Sequence, residues 1–307
     1  MAIREILYPT DLSECARYAG GYAAGLAHTL GASLHILHVP FVPSPLREGE
    51  WADAVYGDLA RSGLAEVQRL LHEAEFRGLK VRTTVVGGLI EEEIRKAAEK
   101  SDLIVMGTHG RTGLSRTMLG SVTEKVIGTA RCPVLVVKHP DIDIELPWGE
   151  HLKRARRIQQ VPPRFLNILV PLDGSPRSEM VLDEATDLAR AFEAVIVLFL
   201  VISPSLHLDT KPQGEPSPDD QGKGADYLRG KQQALHREGL MVETVLRTGD
   251  AAMEILDYAD ERSIDLIAMA THGRTGLTRW LLGSVAEKVL RASNVPVLMI
   301  RGWREAQ

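Results

Sequence analysis

Apolar residues fall along this chain in two recurring patterns. Short unbroken runs of Val, Ile and Leu alternate with longer stretches in which apolar residues return every three or four positions. The first pattern predicts strands, and runs without polar alternation predict parallel strands buried on both faces. In the first half these runs are Glu5–Pro9, Ser33–Val39, Lys80–Val86, Leu103–Gly107 and Pro133–Lys138. In the second half they are Asn167–Pro171, Ala194–Ile202, Met241–Arg247, Leu266–Ala270 and Pro296–Arg301. The second pattern predicts helices over Ser13–Leu30 and Leu59–Arg77, the latter with Leu64, Val67, Leu71 and Ala74 on one stripe. Gly31 and Gly78 stand where helix C-caps belong. Alternating strands and helices predict an α/β class: in each half a doubly wound, mostly parallel five-stranded sheet, Rossmann-like, with helices on both faces.

The two halves are copies of one another. The segment Thr108–Leu114 recurs letter for letter as Thr271–Leu277, 163 positions later, and Ile6–Asp11 aligns with Ile168–Asp173 at an offset of 162. This predicts two tandem domains, residues 1–140 and 165–303, joined by a linker over 141–164. The charged and proline-bearing stretch Asp141–Pro163 reads as that linker, and its basic run His151–Arg157 as solvated chain. Ser203–Gly224, rich in Pro, Gly, Asp and Ser, reads as a flexible loop replacing Phe41–Gly57 of the first copy.

Composition narrows the partners. A formal charge of −5 predicts no global attraction to nucleic acid or an anionic membrane. No apolar run reaches the roughly 18 residues needed to span a bilayer, and no signal peptide precedes the strand at Ile3–Tyr8. Cys15 and Cys132 have no CxxC spacing, which fits a reducing cytoplasm and a role as small buried apolar residues.

The chemistry concentrates after the fourth strand. That strand ends in Met106 and Gly107, followed by Gly110, a polar loop with Arg111 and Arg116, then Gly120-Ser121 opening a helix at Val122–Thr129. In open α/β sheets a ligand lies beyond the carboxyl ends of the strands, where the strand order reverses. Glycines there bring backbone amides close to an anion and permit positive φ. A helix start directs free N–H groups and the positive end of its dipole at a phosphate. Ser121 adds a hydroxyl, and the two arginines add charge.

The pattern Gly107-x2-Gly110-x9-Gly120-Ser121 resembles the ATP-binding signature of the universal stress protein family. The resemblance extends to Pro9-Thr10-Asp11 after the first strand, to His38-Val39, and to the Pro-Val-Leu strand closing each copy. It implies that Pro9, Thr10 and Asp11 line the adenosine side and that the backbone at Val39 meets the adenine edge. It also implies that Met106 and Gly107 flank the nucleoside while Gly110, Gly120, Ser121 and Val122 hold the phosphates. The ligand it implies is ATP, or ADP or AMP, with Mg²⁺ held through the phosphates and water rather than by side chains. The corresponding set in the second copy is Pro171, Asp173, Val201, Met269, Ala270, Gly273, Arg274, Gly283, Ser284 and Val285. There Ala270 replaces the first glycine and Leu172 replaces Thr10. Alanine is unfavourable if the position needs positive φ and tolerable if it needs only close approach.

Plainer roles stand beside these. Asp11 has capping-box spacing with Glu14, and Ser175-Pro176 reads as an N-cap followed by Pro at N1. His109 and His272 lack companions at metal-ligand spacing and read as loop braces. His35 and His38 read as satisfied core residues, and Lys125 and Lys288 as surface lysines outside any Walker motif. No constellation for fast hydrolysis is visible, so the sequence favours holding ATP over consuming it. A slow ATPase, a self-phosphorylating protein with Ser121 as acceptor, and a nucleotide-free interaction protein are the alternatives. By analogy with single-domain relatives that dimerise, the copies are expected to pair as a pseudo-dimer through Pro133–Lys138 and Pro296–Arg301, with an unidentified protein partner and further homodimerisation left open.

Overall fold

The computed structural model describes residues 3–41, 52–108, 119–139, 164–203, 218–272 and 282–301. The chain divides into two compact units, residues 2–163 and residues 164–307. Among the described residues the N-terminal unit runs β1 (Glu5–Thr10), α1 (Glu14–Leu30), β2 (Ser33–His38), α2 (Ala52–Leu71), β3 (Val81–Val85), α3 (Ile90–Ala98), β4 (Leu103–Gly107), α4 (Ser121–Thr129) and β5 (Val134–Val137). Its strands lie parallel in the order β3-β2-β1-β4-β5. The chain therefore winds outward from β1, then returns past it to build the other side. Right-handed crossovers then put α1 and α2 on one face and α3 and α4 on the other.

The C-terminal unit repeats the plan: β6 (Asn167–Leu172), α5 (Pro176–Glu179), α6 (Val181–Phe192), β7 (Val195–Ile202), α7 (Pro218–Arg237), β8 (Met241–Thr248), α8 (Ala251–Glu261), β9 (Leu266–Ala270), α9 (Ser284–Ala292) and β10 (Val297–Ile300). Its order is β8-β7-β6-β9-β10, again all parallel. The apolar runs β1, β4, β5, β9 and β10 are buried over nearly their whole length, as strands sandwiched between two helical layers must be.

One junction recurs in both units. The main chains of β1 and β4 pair only at Ile6↔Leu103 and Leu7↔Ile104, although β1 continues along β2 to Thr10 and β4 along β5 to Gly107. In the second copy β6 and β9 pair only at Ile168↔Leu266 and Leu169↔Ile267. At the opposite end the same strands are tied by a carboxylate. Asp102 Oδ2 accepts from Arg4 N and Glu5 N at 2.8 and 3.0 Å, and Asp265 Oδ2 accepts from Leu166 N and Asn167 N at 2.9 Å each. The neighbours are thus fastened where they enter the sheet and diverge where they leave it.

Several expected boundaries move. Helix α2 starts at Ala52, inside the stretch expected to be loop, and ends at Leu71; a 3₁₀ turn at Ala74–Phe76 follows. Gly78, at φ +78°, therefore closes that turn rather than capping α2, whereas Gly31 does cap α1. The buried stripe of α2 is Gly63, Val67 and Leu70, with Leu64 exposed and Leu71 half-buried, so the helix is rotated from the expected face. Pro218–Gly224 forms the opening of α7 instead of a loop. Close approach explains two glycines that these helices carry. A Cβ on Gly63 would lie 2.6 Å from His38 Cδ2, and one on Gly224 would lie 3.2 Å from Leu200 and Leu246. Each glycine lets its helix settle on the sheet, which outweighs a propensity cost of about 1 kcal/mol. The remainder of the expected loop and the linker fall outside the described residues.

Removing the Asp102 clamp should therefore weaken the fold directly. Asp102→Ala is expected to lower urea-unfolding stability by about 1–2 kcal/mol, because two partly exposed amides lose a charged acceptor. The exposed Lys100→Ala should stay within about 0.5 kcal/mol of wild type.

Candidate functional site

Beyond Leu7 and Ile104 the two strands no longer pair, and the residues flanking this crevice come from the ends of β1 and β4. On the β1 side are Pro9 and Thr10, followed by Asp11 and then Leu12 at φ +65°. Asp11 does not cap α1 as its spacing suggested. Ser13 is the N-cap, accepting from Ala16 N at 3.2 Å, while Asp11 Oδ1 accepts from Ser13 N at 3.0 Å one step earlier. Val39 follows β2 on the outer side of β1 and is buried. Between the two strands His38 Nδ1 donates to the Thr10 carbonyl at 2.8 Å; a carbonyl only accepts, so that nitrogen carries the proton.

On the other flank, Met106 is buried and Gly107 pairs with Val137 in extended backbone. Thr108 N donates to Val137 O at 3.1 Å, and Gly120 N donates to Thr108 O at 2.8 Å. The chain thus leaves and re-enters at one point. Thr123 Oγ1 adds a bond to the Gly107 carbonyl at 2.9 Å, tying α4 to the end of β4. His109, Gly110, Arg111 and Arg116 lie outside the described residues, as do Gly273 and Arg274 of the second copy.

Helix α4 opens at Gly120, with φ −63° and ψ 140°, and no side chain caps it. Its first bond runs from Glu124 N to Gly120 O, so Ser121, Val122 and Thr123 contribute the amides that a helix start leaves without an intrahelical partner. Ser121 is exposed and Val122 half-buried. By contrast Ser13, Ser175 and Asp250 all cap their helices through side chains. Amides without an intrahelical partner at a dipole's positive end are suited to an anion.

The glycines here need no left-handed backbone. Gly107 is in a strand, and neither it nor Gly120 is among the residues with positive φ. Of the two reasons for glycine, close approach and positive φ, the second does not apply at Gly107 and Gly120, and small size is what remains. Ala270 occupies the same extended place, paired with Ile300, so alanine carries no backbone strain there.

The second copy reproduces the frame with different detail. Pro171 and Leu172 end β6, and Asp173 Oδ1 accepts from Ser175 N at 2.9 Å. Ser175 caps α5 with Pro176 at N1, as expected. Met269 is buried, Val201 half-buried within β7, and Gly283 opens α9 without a side-chain cap, its N–H on the Thr271 carbonyl at 2.8 Å. Ser284 and Val285 follow as the first helical residues. Ala286 stands at the place of Thr123, so no hydroxyl ties α9 to the end of β9. Thr123 and Asp102 went unnoticed in the sequence. Asp102-Leu-Ile recurring as Asp265-Leu-Ile was the available signal for the latter, whereas Thr123 has no counterpart to draw attention to it.

The remaining candidates are structural. Lys125 pairs with Glu91 at 2.7 Å and Lys288 with Asp250 at 3.3 Å, all on the surface. Cys15 is buried, but Cys132 is only partly so; burial raises their thiols to about 11 and about 12 respectively. Among the described residues no group of His, Cys, Asp and Glu is placed to hold a metal ion, and no helix is long and apolar enough to cross a membrane.

With this geometry in view, the comparisons with known proteins are direct. The model of the universal stress protein family matches residues 2–138 and 164–301. The chain belongs to that family. A universal stress protein of Mycobacterium tuberculosis is 30% identical over 271 residues, covering 85% of this chain and 82% of its own length. One of Methanocaldococcus jannaschii is 41% identical over 143 residues, 45% of this chain and 83% of its own. Among solved structures, a universal stress protein from Archaeoglobus fulgidus superimposes with a TM-score of 0.73 at 23% identity, over 97% of this chain and 98% of that one. At that identity the likeness is one of fold: tandem copies of a Rossmann-like α/β unit.

His35 supplies a pH test of the N-terminal unit. It is buried in β2, with Nε2 on Thr84 Oγ1 at 2.9 Å. Burial first, then the Arg82 cation, lower its pKa from 6.5 to about 4, against the opposing pull of Glu5. The folded state therefore prefers the neutral ring, and this contribution is complete above the unfolded value of 6.5 and lost as pH falls toward 4. Wild type should lose about 2 kcal/mol more than His35→Gln between pH 7.5 and 4.5 in urea unfolding; parallel curves would refute the assignment.

Proposed function

We propose that the N-terminal unit binds an adenine nucleotide, ATP foremost, in the crevice where β1 and β4 diverge. The observation that carries this reading is the start of α4: a glycine without a side-chain cap, three amides that a helix start leaves without an intrahelical partner, and the Gly107-x2-Gly110-x9-Gly120-Ser121 spacing around it. Pro9, Thr10 and Asp11 form the nucleoside side, with Val39 beside the adenine edge, and Met106 and Gly107 the opposite wall. Gly110, Arg111, Arg116, Gly120, Ser121 and Val122 take the phosphates. Mg²⁺ accompanies the ligand through phosphate oxygens and water, in keeping with a reluctance to shed its hydration shell.

Three or four charge-assisted bonds at about 1.5–3 kcal/mol each match the roughly 8 kcal/mol of a micromolar complex, before ordering costs. The residues support retention of ATP rather than turnover. Membership of the family supports a role in stress response, in which nucleotide occupancy alters a surface read by a protein partner in the cytoplasm. In the C-terminal unit the uncapped start of α9 is kept, but Leu172, Ala270 and Ala286 change the walls, so its affinity is the weaker of the two.

Proline substitution tests the amide directly. At N1 the ring fits helical backbone, and Gly120 already has the extended conformation that a residue before proline requires. Ser121→Pro should fold normally and bind ATP about tenfold more weakly by calorimetry, having lost an amide and a hydroxyl. Ser121→Ala, losing the hydroxyl alone, should fall about threefold, and Ser284→Pro should leave the tighter site unchanged. Wild-type protein that takes up no adenine nucleotide, or Ser121→Pro binding as tightly as wild type, would end this reading.

A further inference from the structure

Leu12 is one of three non-glycine residues with positive φ among those described, and it sits between Asp11 and the N-cap of α1. Left-handed backbone is disfavoured for leucine, so something must hold it. Its N–H donates to Thr10 Oγ1 at 3.0 Å. That oxygen lies 3.2 Å from the Tyr8 hydroxyl, and Tyr8 Oη lies 2.7 Å from the Ala16 carbonyl. The carbonyl can only accept, so the single Tyr8 proton goes to Ala16, and the proton between the two hydroxyls belongs to Thr10. The result is a directed chain: Leu12 N–H to Thr10, Thr10 O–H to Tyr8, Tyr8 O–H to the first turn of α1. Tyr8 is fully buried, and a Cβ on Gly20 would meet its hydroxyl at 2.8 Å. Gly20 is therefore the space in which the chain ends.

The second copy exchanges every member of this chain. At an offset of 162, Tyr8 becomes Val170, Thr10 becomes Leu172, Leu12 becomes Gly174, Ala16 becomes Ser178 and Gly20 becomes Leu182. Gly174 adopts the left-handed conformation, at φ +78°, without strain. The brace is supplied elsewhere, by Ser178 Oγ accepting from Asp173 N at 3.3 Å. Yet Asp173 makes the same bond to Ser175 N that Asp11 makes to Ser13 N. Two different sets of side chains hold one backbone shape around one aspartate.

We propose that Tyr8 and Thr10 are positioning residues. Their hydroxyls hold the left-handed turn at Leu12 and so aim the Asp11 carboxylate at the ligand, and the Thr10 hydroxyl itself makes no bond to the ligand. The ligand clause rests on the nucleotide reading above; the turn clause does not. Thr10 Oγ1 accepts from Leu12 and donates to Tyr8, so its proton is already committed within the protein.

The test is a cycle of Thr10→Val, Leu12→Gly and the double variant on the full chain. Valine matches the shape of threonine without its hydroxyl, and glycine needs no brace. Without ligand, Thr10→Val is expected to speed hydrogen exchange at the Leu12 amide at least tenfold; unchanged exchange overturns the relay, whether or not nucleotide binds. With ATP, Thr10→Val is expected to weaken affinity about fivefold to tenfold, and adding Leu12→Gly to bring it back within about twofold of wild type. A loss that persists in the double variant would mean that Thr10 contacts the ligand itself, and would overturn the proposal. Wild type that binds no nucleotide overturns the ligand clause together with the nucleotide reading, and the exchange measurement then decides the turn clause separately.

Discussion

Everything distinctive about each unit follows from two parallel strands that are neighbours for only two residue pairs. β1 and β4 pair at Ile6↔Leu103 and Leu7↔Ile104, and each then follows its outer partner. The cause lies in the winding order. β1 is bonded to β2 on one side and β4 to β5 on the other, so right-handed sheet twist draws their ends apart once the shared pairs stop. Asp102 prevents the same divergence at the other end by accepting from both amides that open β1. A gap in strand pairing that is tied at one end and unpaired at the other needs no dedicated segment. It is a by-product of strand order.

What fills that geometry with chemistry is the way α4 begins. Three helix starts in this chain use Ser or Asp to occupy the exposed amides. At Gly120 and Gly283 no side chain does so, and in each case the glycine N–H is itself held by the carbonyl of a threonine just past the strand end. The glycine that opens each helix is therefore fixed in direction by the strand end, and preorganisation of this kind lowers the cost of binding. Thr123 adds stiffness in the first copy only.

The copies show how loosely a conserved backbone shape constrains the residues that produce it. A left-handed residue after the aspartate is reached by leucine held with hydroxyls in one unit and by glycine in the other. The same holds at the end of the first long helix, where Gly31 and Glu193 both take left-handed cap geometry. Duplication preserved the fold and the aspartate while the supporting contacts drifted apart, so the two turns are braced differently even where the sequences around them read alike.

The strands, the tandem repeat and the family were legible in the linear chain. Buried parallel strands need unbroken apolar runs such as Leu103–Met106, and a repeat of seven identical residues needs no fold to be seen. The phosphate-type spacing was legible for the same reason, since it depends on residues within one loop. The limits of α2 and α7 were not, because Gly57, Gly222 and Gly224 lower local helix propensity, while Gly224, like Gly63 within α2, permits contact with strands distant in sequence. Nor was the role of the strand-end glycines: extended backbone at Gly107 and Gly120 follows from pairing with β5 and Thr108. The Asp102 clamp and the Tyr8–Thr10–Leu12 chain likewise join positions whose relation arises only when β1, β4 and α1 pack together. Periodicity reports what each segment must bury. Only folding decides which distant atom meets which, and so which side chains brace each turn.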